Sequence, residues 1–241
     1  MMYKEMVEVE KLIKKYGNFT AVNEISFNVK KGEIFGLIGP NGAGKTTTLR
    51  VLSTLLKVTR GKVTISGRDL EKEPEKIRKI ISYLPEDAGA YKNLTGREYL
   101  EFMAKFFDGA KKTNKIVNKG VKIASLGERI DAKIDTYSKG MKRRLLVGRA
   151  LMINPKLAIL DEPTSGLDVI NAREVRQLIK EYARSGTTIL LSSHNMLEVD
   201  FLCDRISLID DGVIVESGKP SELKKKYGAE NIEDVFTRVV K

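Results

Sequence analysis

The residues most able to do chemistry lie in one glycine-rich segment, residues 39–47, which reads GPNGAGKTT. Its spacing, G-x-x-x-x-G-K-T, is typical of a loop that binds phosphate groups. The two glycines let the backbone curl, so that its N–H groups face a polyphosphate. Lys45 reaches the terminal phosphates as a catalytic point charge, and the Thr46 hydroxyl is placed to ligate a Mg²⁺ that bridges them. The predicted nucleotide-binding residues are Gly39, Pro40, Asn41, Gly42, Ala43, Gly44, Lys45, Thr46 and Thr47.

A second candidate is the acid pair Asp161 and Glu162, which follows the apolar residues 157–160. An open α/β sheet binds its ligands at the carboxyl ends of its strands, so these acids would lie near the phosphate loop. Asp161 is predicted to hold Mg²⁺, directly or through water. Glu162 is predicted to deprotonate the attacking water, a general-base contribution of about 10²–10⁴-fold in rate. Two acids at a strand end can also merely cap the next turn, but the phosphate loop favours the catalytic interpretation.

The third candidate is His194, the one histidine of the chain, at the end of another apolar segment. A lone histidine is usually a structural residue with satisfied hydrogen bonds. Here its position at a predicted strand end directs it towards the nucleotide, so we predict a catalytic role.

These residues need strands and helices that alternate around the phosphate loop. Apolar runs with flanking turn residues predict strands at residues 6–12, 21–29, 34–38, 62–65, 157–160, 188–191 and 206–209. Helical periodicity predominates from residue 96 to about residue 153, including a helix over 139–153, and returns at 169–183 and in two short helices over 221–241. This order predicts an α/β fold with an inserted α-helical lobe.

The helical lobe contains aromatic residues three and four positions apart, which predicts that they form a stripe facing the core. The members of this stripe are Tyr99, Phe102, Met103, Phe106 and Phe107.

Composition narrows the class of protein. A chain of 241 residues with 41% hydrophobic and 31% charged residues is ordinary for a globular protein, so we expect one compact body. No apolar run approaches the roughly 18 residues that span a bilayer, and a cytoplasmic location is expected. The single cysteine, Cys203, excludes an internal disulfide and is predicted to be a small buried side chain. The net charge of +11 fits nucleic acid, anionic lipid or an acidic protein as partner.

Over nearly its whole length the chain resembles the nucleotide-binding subunit of an ATP-binding cassette transporter. The motifs follow in that family's order: Tyr16, the phosphate loop, Glu86, the signature segment (residues 137–141, YSKGM), Asp161 and Glu162, residues 165–168 (SGLD), and His194. The resemblance implies a phosphate-loop NTPase core with a mixed or parallel sheet and an N-terminal antiparallel β subdomain. It also implies one domain, with its core in 1–86 and 154–218, its helical lobe in 87–153 and a helical tail in 219–241.

The resemblance also implies a mechanism, in which two such subunits enclose two ATP molecules. Ser138 and Gly140 of the signature segment would bind the nucleotide held by the partner's phosphate loop. Asp168 would lie at the dimer seam, and Tyr16 would stack on adenine. Simpler interpretations remain: Ser138 and Asp168 are good helix N-caps, and the alternative for Tyr16 is a plain hairpin residue.

Two departures from the family pattern affect these expectations. Glu86 stands where the family usually has glutamine; its carboxylate is a suitable Mg²⁺ ligand, but its charge could slow hydrolysis, and it could also be a plain surface acid. The signature segment has Tyr137, Lys139 and Met141 in place of the usual leucine, glycine and glutamine. We predict that dimer closure is retained and that Lys139 adds a cation near the partner's nucleotide.

The leading functional hypothesis is an ATPase, with ATP and Mg²⁺ as cofactors, that drives a separate membrane permease from the inner face of the cell membrane. Its second subunit would be another copy or a related ATPase. Export is favoured because residues 231–236 resemble the end of exporter ATPases and the remaining residues have no room for a regulatory domain. The alternative is a soluble ATPase of the same family acting on nucleic acid or ribosomes, for which the net charge is the main argument. No nucleic-acid partner is expected under the leading hypothesis.

Overall fold

The computed structural model of the chain describes residues 5–108 and 113–240. It contains two sheets, four-stranded and six-stranded, with helices packed against them. The strands are β1 (Glu5–Tyr16), β2 (Phe19–Lys30), β3 (Ile34–Ile38), β4 (Arg60–Ile65), β5 (Arg68–Asp69), β6 (Ile81–Leu84), β7 (Leu157–Leu160), β8 (Thr188–Ser193), β9 (Arg205–Asp210) and β10 (Val213–Gly218). The α-helices are α1 (Lys45–Leu52), α2 (Pro74–Arg78), α3 (Gly96–Asp108), α4 (Thr113–Ala124), α5 (Lys139–Leu151), α6 (Val169–Arg184), α7 (Met196–Leu202), α8 (Pro220–Tyr227) and α9 (Ile232–Val240).

The four-stranded sheet is antiparallel in the order β2-β1-β4-β5. A tight hairpin joins β1 to β2, where Gly17 has a φ of 56°, a value that glycine adopts without steric cost. Tyr16 pairs with Phe19 across this turn, so two exposed aromatic rings stand side by side at the hairpin end. The predicted antiparallel β subdomain is confirmed.

The six-stranded sheet has the order β10-β9-β3-β8-β7-β6. Its strands run parallel except β10, which pairs antiparallel with β9 and was not predicted from the sequence. Every residue of β3, β7 and β8 is buried, as expected for parallel strands covered on both faces. These three strands are neighbours, so the phosphate loop, the acid pair and His194 leave the sheet at one edge.

Two apolar cores lie on opposite faces of this sheet. Alternate residues of β3 and β7, such as Phe35 and Ile159, pack with the antiparallel sheet and α1. The residues between them, such as Ile34 and Leu160, pack with the helices on the other face. The predicted mixed sheet with a helical lobe is therefore confirmed, and buried Cys203 belongs to the helical core.

The predicted core stripe is confirmed for Tyr99 and Met103 and was wrong for its three phenylalanines. Tyr99 is buried, and Leu100 and Ala104 share its face of α3. In contrast, Phe102 is 38% exposed and Phe106 is 68% exposed, and Phe107 is also exposed. The reason is that two apolar series occupy one helix. The face that packs inward carries Tyr99, Leu100, Met103 and Ala104, whereas Phe102 and Phe106 form an i, i+4 pair outside that face.

The helical segment between β6 and β7 comprises α3, α4, two 3₁₀ turns (Gly127–Asp131 and Ile134–Thr136) and α5. The predicted helix over 139–153 ends at Leu151, and the predicted pair of short helices in the tail is confirmed as α8 and α9. No helix within residues 5–108 and 113–240 is both long and apolar enough to cross a bilayer.

Candidate functional site

The phosphate loop joins β3 to α1, and two of its glycines, Gly39 and Gly44, are required by close backbone contacts. A Cβ at Gly39 would lie 2.0 Å from the Ile209 carbonyl oxygen. At Gly44, where φ is 99°, a Cβ would lie 2.6 Å from the carbonyl oxygen of Ala21. Any other residue at these two positions would therefore displace a neighbouring strand or the loop itself.

Lys45 is buried beneath the loop. Its Nζ donates hydrogen bonds to the carbonyl oxygens of Gly39 at 2.7 Å and Pro40 at 3.0 Å. The same ammonium lies 3.4 Å from Glu162 Oε1, and both side chains are at most 5% exposed. The loop therefore holds a cation within reach of the catalytic candidate Glu162.

Asp161 is fully buried at the end of β7, and hydroxyl groups surround its carboxylate. Oδ1 accepts hydrogen bonds from Thr46 Oγ1 at 3.2 Å and from Ser192 Oγ at 2.6 Å. Oδ2 accepts one from the Tyr83 hydroxyl at 3.3 Å. Burial, with the Asp161 charge adding to it, raises the pKa of Tyr83 to about 12, so its phenol remains a donor at neutral pH.

Glu162 has an unusual backbone and an unusual environment. Its φ is 47°, in the left-handed region that non-glycine residues seldom occupy. Its N–H donates to Ser192 Oγ at 2.9 Å, and its side chain is 4% exposed. Oε2 lies 2.9 Å from His194 Nδ1, whereas Oε1 has no hydrogen-bond partner among the described residues. A buried carboxylate oxygen with free acceptor capacity is suited to accept a proton or a hydrogen bond from a substrate water.

A pocket of about 450 Å³ collects six of the nine phosphate-loop residues together with Tyr16, Glu86 and Glu162, while Gly39, Pro40 and Ala43 of the loop lie outside its lining. Its lining comprises Tyr16, Phe19, Ala21, Asn41, Gly42, Gly44, Lys45, Thr46, Thr47, Glu86 and Glu162. Lys14 Nζ lies 5.2 Å from the centroid of the Tyr16 ring. Another pocket, of about 500 Å³ between α4, α5 and α6, contains none of the sequence motifs, so its size alone does not make it a nucleotide site.

Glu86 lies in the Glu86 loop, which we define as residues 85–91. Its side chain lines the pocket, and its Oε1 accepts a long hydrogen bond of 3.4 Å from Ser165 Oγ. This contact links the loop to residues 165–168, which follow the acid pair. The prediction that Glu86 binds metal remains a prediction.

The signature residues form a second cluster, outside the pocket lining. Ser138 caps α5 by accepting from the Met141 N–H at 3.2 Å, and Asp168 caps α6 by accepting from the Asn171 N–H at 3.0 Å. Hydrogen bonds from Asn171 lower the pKa of Asp168 and keep it ionised. A Cβ on Gly140 would lie 2.1 Å from Asn171 Oδ1, so a larger residue there would displace the Asn171 side chain where α5 meets α6. Both capping interpretations therefore fit, and the nucleotide-binding roles of Ser138, Gly140 and Asp168 remain predictions.

Lys139 lies against residues 165–168 of its own chain. A Cβ on Gly166, which has a φ of 64°, would lie 1.9 Å from Lys139 Nζ. The lysine that departs from the family pattern thus lies where the two segments meet.

Sequence reasoning missed four residues of this site: Phe19, Tyr83, Ser192 and Arg143, whose guanidinium donates to the backbone carbonyl oxygens of Asp161 and Glu162. Phe19 had a local signal, because it faces Tyr16 across a two-residue turn. The other three act through bonds to residues far away in the sequence, such as Ser192 to Asp161. No spacing rule within one sequence indicates such contacts.

Comparison with known proteins identifies the family. The family model described as ABC transporter matches residues 22–165, which is more than half of the chain. The chain belongs to the ABC transporter family. An ABC transporter relative, the linearmycin resistance ATP-binding protein LnrL of Bacillus subtilis, is 40% identical over 228 residues, covering 94% of this chain and 73% of that protein. The lantibiotic transport ATP-binding protein SrtF of Streptococcus pyogenes is 35% identical, covering 98% of this chain and 97% of that protein.

Solved structures of ABC proteins share the fold. One is a dimeric ATP-binding cassette in a post-hydrolysis state, bound to ADP and Pi. It is 29% identical, has a TM-score of 0.78, and covers 89% of this chain and 98% of that chain. This ABC protein is therefore an ATP-binding subunit that hydrolyses ATP. The alternative of a soluble ATPase acting on nucleic acid or ribosomes is not favoured, because these relatives are ATP-binding proteins of resistance and transport systems.

Proposed function

We propose that the chain powers an exporter and that Glu162 is the general base that activates water for ATP hydrolysis. The observation that carries this proposal is the buried Glu162 carboxylate, whose Oε1 has no hydrogen-bond partner among the described residues while Oε2 lies 2.9 Å from His194 Nδ1. One oxygen is held in place and the other faces the phosphate-loop lysine, Lys45, at 3.4 Å. His194 fixes the carboxylate orientation, and Glu162 takes the water proton.

The loop residues bind the triphosphate. Lys45 now donates to two backbone carbonyl oxygens of its own loop, and phosphate oxygens are stronger, charge-assisted acceptors for the same ammonium. The N–H groups of the loop and of the first turn of α1 add further donors. At the other end of the pocket, the exposed rings of Tyr16 and Phe19 offer an aromatic surface for adenine.

The oxygen donors near the loop fit a magnesium ion. Thr46 and Asp161 supply a hydroxyl and a fully buried carboxylate, and Glu86 lines the same pocket. Residues 5–108 and 113–240 contain no group of three or more His, Cys, Asp or Glu side chains that would form an all-protein metal cage. This agrees with Mg²⁺, which is usually held by one or two protein oxygens together with substrate phosphates. When bound, Mg²⁺ would neutralise the charge on those phosphates.

The catalytic unit is a dimer in which each nucleotide lies between two chains. The support comes from the separation of the motifs: Ser138, Gly140 and Asp168 cluster where α5 meets α6 and are not part of the pocket lining of their own chain. A second chain would bring its signature segment to that pocket. The structural relative bound to ADP and Pi is itself a dimer, which supports a dimeric unit.

The Glu86 loop and α3 are the surface that docks on a membrane permease at the inner face of the membrane. Three aromatic rings are exposed there in a series of edge-on contacts, Tyr91 with Phe102 at 5.5 Å and Phe102 with Phe106 at 5.3 Å between centroids. An exposed aromatic patch of this kind is typical of a protein interface. The cargo class, antibiotic-like molecules moved outwards, rests on the printed functions of the relatives.

The test is ATP turnover by Glu162→Gln, which keeps the shape of the side chain and removes its basicity. Turnover should fall by about 10²–10⁴-fold while ATP binding is retained. Arg144→Lys, which changes a side chain of α5 whose bonds go to Ser125 and Glu174 outside the site, is the matched control and should turn over normally. Turnover of Glu162→Gln within twofold of that control would refute the assignment of the base.

A further inference from the structure

Arg143, in the first half of α5, binds the turn that carries Glu162, the proposed general base. Its side chain is 7% exposed. Nε donates to the carbonyl oxygen of Pro163 at 2.8 Å. Nη2 donates to the carbonyl oxygens of Asp161 at 2.8 Å and Glu162 at 2.7 Å. Three consecutive carbonyl groups at the end of β7 are therefore held by one guanidinium group.

The same side chain also binds the Glu86 loop. Nη1 donates to the carbonyl oxygens of Pro85 at 3.4 Å and Glu86 at 3.2 Å. A guanidinium group has five N–H donors, and all five are used here, every one on a backbone carbonyl of these two segments. Because all of these acceptors are backbone atoms, the guanidinium sets the position of residues 161–163 and of residues 85–86 relative to α5.

The charge of Arg143 suits this place. Burial lowers the pKa of its guanidinium, and the neighbouring carboxylates of Asp161 and Glu86 act against that shift. Arginine remains protonated even so. The guanidinium of Arg143 is therefore a permanent cation beside the carboxylates of Asp161 and Glu86. Lysine would offer only three donors on a flexible stem and would not reach both segments with the same geometry.

We propose that Arg143 is a positioning residue that couples the signature segment to the Glu86 loop and to the Glu162 turn. α5 begins immediately after Ser138, so a shift of its first turns on nucleotide enclosure moves Arg143 and both segments bonded to it. This inference rests on the proposed roles of the signature segment and of the Glu86 loop. One side chain, Arg143, would thus transmit the effect of bound nucleotide to the Glu86 loop, which faces the permease.

The experiment compares Arg143→Lys with its neighbour Arg144→Lys by hydrogen exchange, with and without AMP-PNP and MgCl₂. In the unchanged protein, the nucleotide should slow exchange in residues 39–47, 161–166 and 85–91, by about fivefold or more in the last. Arg144→Lys should behave alike. Arg143→Lys should keep the effect at 39–47 and lose it at 85–91. A purely structural defect would raise exchange with and without nucleotide and would leave the difference in place.

Turnover gives a second measurement on the same variants. Arg143→Lys should lower kcat by about a hundredfold, because the Glu162 carboxylate is displaced, and KM for ATP should change little. The proposal is overturned if Arg143→Lys retains both the nucleotide effect at 85–91 and a kcat like that of Arg144→Lys. If Arg143→Lys does not fold, Arg143→Gln takes its place with the same expectation. Absence of any nucleotide effect at 85–91 in the unchanged protein would also overturn it.

These outcomes are separate from the test of Glu162. AMP-PNP is not hydrolysed, so the exchange measurement does not depend on which residue is the base. Normal turnover by Glu162→Gln would refute Glu162 as the base and would leave the positioning role of Arg143 untouched. Retention of the nucleotide effect by Arg143→Lys would refute that positioning role and would leave Glu162 as the base.

Discussion

Ser192→Ala offers a quantitative test of how the site is built. The Ser192 hydroxyl donates to Asp161 Oδ1 at 2.6 Å and accepts from the Glu162 N–H at 2.9 Å, and all three residues are buried. Alanine removes both bonds and leaves a buried carboxylate oxygen and a buried N–H without this partner. Each buried polar group that loses its partner costs about 1–3 kcal/mol. Because Thr46 still donates to Asp161, we expect a total of about 2–4 kcal/mol.

The assay is thermal unfolding without nucleotide, followed by circular dichroism. For a chain of this size each kcal/mol lowers Tm by about 2–4 °C, so Ser192→Ala should lower Tm by about 4–16 °C. Its control is Ser207→Ala in β9, which also removes a fully buried hydroxyl. The partner of Ser207 is Ser217 Oγ at 2.7 Å, and Ser217 is exposed, so water can replace the lost bond. The control should cost about 1 kcal/mol.

Ser192→Ala should also lower kcat for ATP, because the orientation of Glu162 depends on its N–H bond to this hydroxyl. The control should not change kcat. If Ser192→Ala is as stable and as active as Ser207→Ala, the hydroxyl neither supports Asp161 nor orients Glu162, and the description of the site is wrong at this point.

Two other substitutions test separate contacts. Gly44→Ala places a Cβ 2.6 Å from the Ala21 carbonyl oxygen at a φ of 99°, so it should abolish ATP binding measured by calorimetry. Gly186→Ala has a similar φ of 96° but no atom within 4 Å of the new Cβ, so it should bind ATP normally, and equal binding by the two variants would contradict a steric role for Gly44. Absorbance titration at 295 nm follows the ionisation of phenols. In Tyr83→Phe, the titration should contain one phenol fewer near pH 12 than in the unchanged protein. Folding raises this pKa above the ordinary value of about 10. The stability contributed by the neutral Tyr83 phenol is therefore complete below pH 10 and is lost as pH rises through 12. Tyr83→Phe should accordingly lose less stability than the unchanged protein between pH 10 and pH 12. Loss of a phenol that ionises near pH 10 would show that Tyr83 is not buried against Asp161.

The parts of the site that lie close together in sequence were predictable. Residues 39–47 carry a spacing typical of a phosphate loop, and the Asp161 and Glu162 pair follows an apolar strand whose carboxyl end is expected at the ligand edge of the sheet. The antiparallel hairpin and the two tail helices likewise follow from local patterns. Strand β10 was missed because its residues are largely half-exposed at the sheet edge, so it lacks a buried apolar run.

The parts that depend on folding were not predictable. The five bonds of Arg143 join residues up to 58 positions apart, and a basic residue on a helix is usually a surface residue. The phenylalanines of α3 gave a false signal because two series of similar spacing share one helix, and only packing decides which one faces the core. Periodicity indicates that a buried face exists, but it does not distinguish between two apolar faces.

If Glu162 acts in a site completed by a second chain, the mass of Glu162→Gln in solution must depend on nucleotide. Light scattering after size-exclusion chromatography should give a monomer of 27.0 kDa without nucleotide. With ATP and MgCl₂ it should give twice that mass, because nucleotide is bound and not consumed. Ser138→Arg in the same background should remain monomeric while still binding ATP. A Glu162→Gln protein that binds ATP and stays monomeric would contradict the account.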